Sequence, residues 1–154
     1  MTKRIGMFGA AFAALYAAHH IGDIWLQTHT QAGQKGERSS AGRRACARHV
    51  ASLTATKVVA LAAMAAATRA RLPLAATTAA LTVDAASHYW IDRRYTLAAL
   101  AERVETYGIT GKAAFYHAGD AAHAPTGTGA YALDQAAHVA MLAVAAGIIA
   151  AGTK

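Results

Sequence analysis

Long apolar stretches alternate with small groups of histidine and aspartate along this chain, and that alternation restricts the possible folds most strongly. The apolar stretches are rich in Ala, and each carries its ionisable residues near one end. Four of them are predicted to be helices, at about 5–27, 45–70, 72–92 and 131–151. A helix needs about 20 residues to cross the hydrocarbon core of a bilayer. We therefore predict an all-α fold in which four helices form a transmembrane bundle.

The composition agrees with one membrane domain spanning residues 1–154. Of the 154 residues, 55% are hydrophobic and only 15% are charged, against about 25% in ordinary soluble domains. The net charge of +7 suits loops that face an anionic leaflet. No basic face with interleaved aromatic residues is evident, so we expect a lipid bilayer as partner and no nucleic acid. The single cysteine, Cys46, excludes an internal disulfide.

The connections differ in character. Residues 28–44 are rich in Gly, Ser, Gln and Thr and are predicted to be a loop. Residues 95–130 are the longest connection, and apolar residues recur at helical spacing in its first part. We predict a short amphipathic helix at about 96–107, lying on the membrane surface or against the bundle end. Packing is its favoured role, and a lid over the site is the alternative.

The Lys and Arg residues of the connections predict the orientation, because cytoplasmic loops carry an excess of them. Five lie at the end that holds both termini and the short second connection, and nine lie at the end with the two long connections. The five are Lys3, Arg4, Arg69, Arg71 and Lys154. The nine are Lys35, Arg38, Arg43, Arg44, Arg48, Arg93, Arg94, Arg103 and Lys112. We expect a multi-pass protein of the cell inner (cytoplasmic) membrane, with both termini outside and the long loops in the cytoplasm.

Three of the polar groups are a histidine and an aspartate four residues apart, a spacing that places both side chains on one helix face. In an antiparallel bundle all of the groups fall at the same end. Imidazole and carboxylate ligands together suit a divalent metal, zinc first, with Mn or Fe as alternatives. The predicted metal ligands are His19, Asp23, His49, His88, Asp92 and His138.

More polar residues are present than one zinc ion needs. The surplus could serve a second metal, a general base or groups that orient the ligands. Asp134 is a candidate ligand or base. Lys57 lies eight residues after His49 on the same face, and it is predicted either to orient a substrate and neutralise carboxylates or to form an interior ion pair. His117, Asp120 and His123 in the third connection are less favoured as ligands, since loop histidines are usually solvated.

Another interpretation needs no metal. Buried His–Asp and Arg–Asp pairs could form a polar plug that holds four helices in register, in a non-enzymatic phage- or plasmid-type membrane protein that binds a partner or handles ions. A transporter should show polar residues across the whole membrane, whereas the outer halves of three stretches are nearly all apolar. A soluble metal-binding bundle would need polar outer faces, and 139–152 supplies none.

The polar segments also resemble a known family. The sequences AAHHIGDIWLQT at 17–28, HYWIDRR at 88–94 and ALDQAAHVAML at 132–142 look like signature segments of an uncharacterised family of small bacterial and phage integral membrane proteins. The family pattern is H-x3-D followed by L-Q, a His at the start of the second helix, H-x2-I-D and D-Q-x2-H. The matching residues are His19, Asp23, Gln27, His49, His88, Asp92, Asp134, Gln135 and His138, and Lys35 corresponds to a Lys that often follows the first segment.

A looser likeness is to small membrane proteins described as membrane-bound metal-dependent hydrolases. It implies metal-assisted hydrolysis with metal-bound water as nucleophile and an Asp, here Asp134, as base. Lys57 or an Arg of the long loops would then hold an anionic lipid headgroup or a phosphate. The connection at 96–129 is longer than the family usually has, so the resemblance implies no role for it.

Overall fold

The computed structural model describes residues 2–123 and 125–154, and within them it contains helices and no strand. The expected all-α class is therefore confirmed. The helices are α1 (Thr2–His20), continued by a π-helical turn (Ile21–Leu26), α2 (His29–Gln34), α3 (Ser40–Thr68), α4 (Leu74–Asp92), α5 (Tyr95–Thr106), α6 (Lys112–Tyr116) and α7 (Gly129–Ala151). A 3₁₀ turn, Pro125–Gly127, precedes α7.

Four long helices pack side by side in a ring. Helix α1 contacts α3 and α7, and α4 contacts the same two helices from the other side. The helices alternate in direction, so the ends of α1 and α4 meet the starts of α3 and α7. We call this the histidine end, because His19, His49, His88 and His138 lie there. The other end, with the starts of α1 and α4 and the ends of α3 and α7, is the terminal end.

Small side chains fill the half of the bundle nearer the terminal end. Ala11, Ala80 and Ala145 are fully buried there, and small residues let helix backbones approach closely. Larger side chains complete the packing. The buried cluster consists of Met7, Ala11, Leu15, Leu61, Ala80, Leu142, Ala145, Ala146, Ile149 and Ala150. The interior of this half contains no acidic residue and is held together by the packing of apolar side chains.

Three helices are long and apolar enough to span a membrane: Thr2–Leu26, Ser40–Thr68 and Gly129–Ala151. Within the most apolar windows of these helices, only 33%, 17% and 28% of the residues are buried inside the protein, so most of this apolar surface faces outward. Helix α4 is outside the set because Asp84, His88 and Asp92, with several Thr and Ser residues, lower its hydropathy. By length and hydropathy alone, only three of the four helices that we expected to span the membrane therefore qualify among the described residues.

The last turn and a half of the first long helix is π-helical, whereas the sequence predicted one regular helix to residue 27. Gly22 lies in this wide turn, where an added Cβ would overlap the side chain of Leu53 on α3. Gly22 therefore permits the close approach of the two helices. The wide turn also changes the direction of Asp23, and π-helical turns occur frequently at functional sites. Trp25, in the same turn, is 83% exposed.

Both long connections contain more helix than the sequence predicted. Thr28 and Gln31 form a capping box that starts α2. Helix α3 begins at Ser40, not near 45, because the Ser39 hydroxyl accepts a hydrogen bond from the Gly42 amide. Helix α5 lies where the amphipathic helix was expected and buries Leu97 and Ala101. It contacts α4 and α7, and α6 follows it.

Candidate metal centre

The histidine end brings one imidazole from each long helix into a single buried cluster. The ring centroids of His88 and His138 lie 4.0 Å apart, and His19 lies 5.0 Å from His138 and 5.5 Å from His88. The His49 ring is 5.2 Å from that of His88. None of the four residues is more than 2% exposed. The four helix ends therefore meet at one depth, as the bundle interpretation requires.

Two of these histidines and two carboxylates point their ligand atoms at a common space. The Nε2 atoms of His49 and His88 lie 3.1 Å apart, and Asp92 Oδ2 lies 3.4 Å from the first and 3.3 Å from the second. Asp23 Oδ1 lies 3.1 Å from His49 Nε2. A tetrahedral ion with ligands at about 2.0–2.1 Å holds neighbouring ligand atoms about 3.3 Å apart. The four measured separations are close to that spacing, and the ligand atoms of Asp23, His49 and His88 all lie within 4.8 Å of one another.

A second group of possible ligands overlaps the first. Ligand atoms of His88, Asp92 and His138 lie within 4.8 Å of one another, as do those of Asp23, His49 and His88. Asp92 uses both of its oxygens: Oδ2 faces His49 and His88, and Oδ1 lies 3.6 Å from His138 Nε2. Either group could hold a metal ion.

Unpaired polar atoms concentrate in the same cluster. Among the described residues, seven of the eight buried side-chain N and O atoms that lack a hydrogen bond belong to it, and the eighth is Thr77 Oγ1. The seven are Nδ1 and Nε2 of His19, Nδ1 of His49, Nδ1 of His88, both carboxylate oxygens of Asp92 and Nε2 of His138. Each buried polar atom without a partner costs about 1–3 kcal/mol. Asp92 Oδ1 is nevertheless within ion-pair distance of Lys35, so the cluster is incomplete mainly at its histidine ring nitrogens.

The wide turn separates the first predicted pair. On a regular helix His19 and Asp23 would share a face, but the structure sends Asp23 toward His49 and leaves His19 against His138 and His88. His19 belongs to neither group of possible ligands. Its two ring nitrogens are nonetheless buried and unpaired, so it borders the cluster as an available donor.

Lys35 reaches into the cluster from the first connection. Its Nζ lies 2.9 Å from Asp92 Oδ1 and 3.4 Å from Asp23 Oδ1, and the residue is 8% exposed. Burial disfavours the ammonium charge, but the carboxylates of Asp92 and Asp23 outweigh it and raise the pKa of Lys35 above its ordinary value. The sequence identified Lys35 through the family pattern and not as a site residue, because nothing in a loop shows where its side chain will lie.

The two arginines that follow α4 hold this connection in place. Arg93 donates from Nη1 to the Lys35 carbonyl at 2.8 Å and from Nη2 to the Glu37 carbonyl. Arg94 donates from Nη2 to the Ala32 carbonyl at 2.8 Å. The Arg-Arg sequence therefore fixes the backbone that positions the Lys35 side chain over the carboxylates.

Lys57 and Asp84 form an ion pair one turn deeper than His88. Lys57 Nζ lies 2.6 Å from Asp84 Oδ2, and the two residues are 0% and 3% exposed. Lys57 is in neither group of possible metal ligands. The contact is the interior ion pair that the sequence analysis gave as the alternative to substrate orientation, and a role for Lys57 in orienting a substrate stays a prediction.

Asp134 and Gln27 lie at the edge of the cluster. Asp134 Oδ2 is 3.6 Å from His138 Nε2, and its side chain is 21% exposed. Gln27 donates from Nε2 to Asp23 Oδ1 at 3.3 Å. Asp134 is thus the carboxylate of the cluster with the greatest access to solvent, a suitable position for a base. Its assignment as a base stays a prediction.

The other candidates lie outside the cluster. His123 and Asp120 pair with each other at 2.6 Å on the surface, and this hydrogen bond lowers the pKa of Asp120. His117 is exposed. Cys46 is buried but belongs to neither group of possible ligands found in the described residues.

Removing one member of the Lys57–Asp84 pair should destabilise the protein. We expect Lys57→Met to lower the free energy of unfolding by about 3–5 kcal/mol, because it leaves a buried charge unpaired. The double variant Lys57→Met/Asp84→Leu should recover much of that loss. Thermal unfolding of the purified variants measures both effects. A single variant as stable as the wild type would contradict the buried pair.

Comparison with known proteins places the chain in a family. No curated protein and no solved structure matches it, so the looser likeness to metal-dependent hydrolases gains no support. The family model described as "Protein of unknown function (DUF3307)" matches residues 11–153, a span that includes every residue of the cluster. The expected relation to an uncharacterised family is thereby confirmed: the chain belongs to the DUF3307 family.

Proposed function

We propose that this protein is a membrane-embedded metal-binding protein whose four-helix bundle holds a divalent transition-metal ion at the histidine end. The gathering of imidazole nitrogens and carboxylate oxygens in two overlapping groups of possible ligands carries the proposal. Several polar atoms of the same residues are also buried without a hydrogen bond. Buried polar groups in proteins are normally hydrogen-bonded, so a group of exceptions requires an explanation such as an ion. A structural plug without metal would be expected to pair all of these atoms, whereas only some of them lie within ion-pair distance of a partner.

The balance of charge supports a divalent cation. Four carboxylates lie in or just below the cluster: Asp23, Asp84, Asp92 and Asp134. Among the described residues, only the ammonium groups of Lys35 and Lys57 lie within ion-pair distance of them. Arg93 donates instead to backbone carbonyls. If the histidines bind metal in their neutral form, two negative charges remain, which a divalent ion compensates.

The donor set favours zinc. Neutral imidazoles and carboxylates at tetrahedral spacing are ligands that zinc prefers, and Mn or Fe accept the same donors with more ligands. Asp23, His49 and His88 would form the first site. His138, with Asp92 and His88, would extend the centre toward a second ion.

Membrane insertion rests on the outward-facing apolar surface. Helices α1, α3 and α7 have the length and hydropathy of spanning helices. Helix α4 has 19 residues, or about 28 Å at 1.5 Å per residue, which is close to the hydrocarbon thickness. Its ionisable residues Asp84, His88 and Asp92 are all buried in the bundle, so it can span as the fourth helix. The Lys and Arg distribution favours an orientation with the metal centre on the cytoplasmic side.

Hydrolysis is the reaction that we propose for this centre. A divalent ion supplies Lewis-acid activation of water. Asp134 would accept the proton, because it combines contact with His138 and partial exposure. The buried cation Lys35, beside Asp23 and Asp92, favours a substrate with a negative charge, such as a lipid headgroup or a phosphate ester.

Metal content tests the central part of the proposal. We expect stoichiometric metal in detergent-purified wild-type protein by inductively coupled plasma mass spectrometry. His88→Ala and Asp92→Asn should each lower it by about tenfold or more, because even residues that only orient metal ligands affect affinity about 10–100-fold. The matched control is His123→Ala, which changes an exposed histidine and should leave the content unchanged. Folded wild-type protein without metal would refute the proposal.

Membrane insertion has a separate test. We expect the protein to remain with membranes after washing with alkaline carbonate and high salt, and to be released by detergent. Its outward apolar surface would otherwise be exposed to water. Release by carbonate alone would contradict spanning helices. A glycosylation or thiol-labelling map of both long connections checks the orientation.

The hydrolytic part is tested with bis(p-nitrophenyl) phosphate as probe. We expect metal-dependent turnover by the loaded protein, lost on chelation and lowered about 10²–10⁴-fold in Asp134→Asn at unchanged metal content. Asn keeps the size of the side chain and removes the base. Wild-type turnover in Asp134→Asn would exclude its role, and absence of turnover in the loaded wild type would leave a metal-binding protein without this activity.

A further inference from the structure

A cavity of about 860 Å³ lies at the terminal end, far from the metal centre. The start of α1, the connection between α3 and α4, and the end of α7 form its walls. Arg4 donates from Nε to the Thr153 carbonyl at 3.0 Å and joins the first of these segments to the last. The volume is within the range of about 300–1,000 Å³ that ligand pockets occupy.

No Asp or Glu side chain lines this cavity beside its cations. Four cations line it: Lys3, Arg69, Arg71 and Lys154. The eight acidic residues of the chain all lie elsewhere, in the cluster, just below it or in the long connections: Asp23, Glu37, Asp84, Asp92, Glu102, Glu105, Asp120 and Asp134. Within the described parts of the chain, none of the four cations lies within ion-pair distance of an acid. The cavity therefore concentrates positive potential.

Most of the remaining cavity wall is apolar, with Thr68 and Thr153 as polar exceptions. Met7, Ala10, Leu72 and Pro73 contribute to it, and Met7 and Leu72 join it to the buried core of the terminal half. The α4 helix starts at this wall without a side-chain cap, so its first amide groups remain available to an acceptor. A cationic rim above an apolar wall fits a molecule with an anionic head and a hydrocarbon chain better than a small soluble anion.

We propose that this terminal cavity binds the anionic headgroup and the adjoining acyl region of one phospholipid. Arg69 and Arg71 hold the phosphate, since guanidinium groups bind phosphate oxygens in a bidentate manner, and Lys3 and Lys154 complete the charge compensation. The inference rests on the membrane part of the proposed function and is independent of the metal centre. The position of the cavity where the helices end places it at headgroup level.

The test is native mass spectrometry of the full chain, released from detergent and titrated with phosphatidylglycerol or phosphatidylcholine. We expect one saturable phosphatidylglycerol adduct and at least about tenfold weaker phosphatidylcholine binding. Lys3→Gln/Arg71→Gln should weaken phosphatidylglycerol binding about tenfold. The matched control, Arg43→Gln/Arg44→Gln, removes two exposed cations from the opposite end and should leave it unchanged.

Three outcomes would overturn the proposal: equal binding of the two lipids, equal losses in the two double variants, or full competition by millimolar inorganic phosphate, which would assign the cavity to a free anion. Metal content measured in the same samples separates the two hypotheses. Normal lipid selectivity with absent metal would remove only the metal centre, and normal metal with absent lipid selectivity would remove only the lipid site. Circular dichroism of each variant verifies that it is folded.

Discussion

Burial of imidazole and carboxylate groups is the constraint on which the structure depends. A polar atom removed from water must find another partner, and at the histidine end the protein brings four histidines and Asp92 together while leaving several of their atoms unpaired. The surrounding contacts preserve this arrangement. Arg93 and Arg94 fix the first connection, and Lys35 reaches the carboxylates from it. The bundle thus buries polar side chains at this end without supplying a hydrogen bond to every one of their atoms.

The two ends of the bundle are built from different interactions. The terminal half is stabilised by alanine packing and needs no polar contact in its interior, whereas the histidine half contains nearly every buried charge. The Lys57–Asp84 pair marks the boundary between them. Because Lys57 and Asp84 neutralise each other, they add no net charge between the cluster and the apolar half. Stability and chemistry are thus located in different parts of one small domain.

Helical periodicity made the gathering of His49, His88, Asp92 and His138 predictable, because apolar stretches of similar length place their ends at similar depth. Asp23 also joins a group of possible ligands. Its expected shared face with His19, however, assumed a regular helix through Gly22, where the structure has a π-helical turn packed against Leu53 of another helix. Lys35 was beyond prediction for a related reason. The position of its side chain depends on the hydrogen bonds that Arg93 donates to the loop backbone. Arg93 lies 58 residues further along the chain, so no local sequence pattern indicates this contact. The number of spanning helices was also difficult to predict. Inward-facing polar residues make α4 less apolar than its position in the bundle suggests.

The wide turn at the end of the first helix links the interior to the surface. Asp23 points inward from this turn toward His49, and Trp25, two residues later, is almost fully exposed. Because both residues belong to one short turn, the backbone that sets the direction of the carboxylate also sets that of the indole ring. Trp25 is one of only two tryptophans in the chain, so its fluorescence offers an optical readout of the segment that carries Asp23.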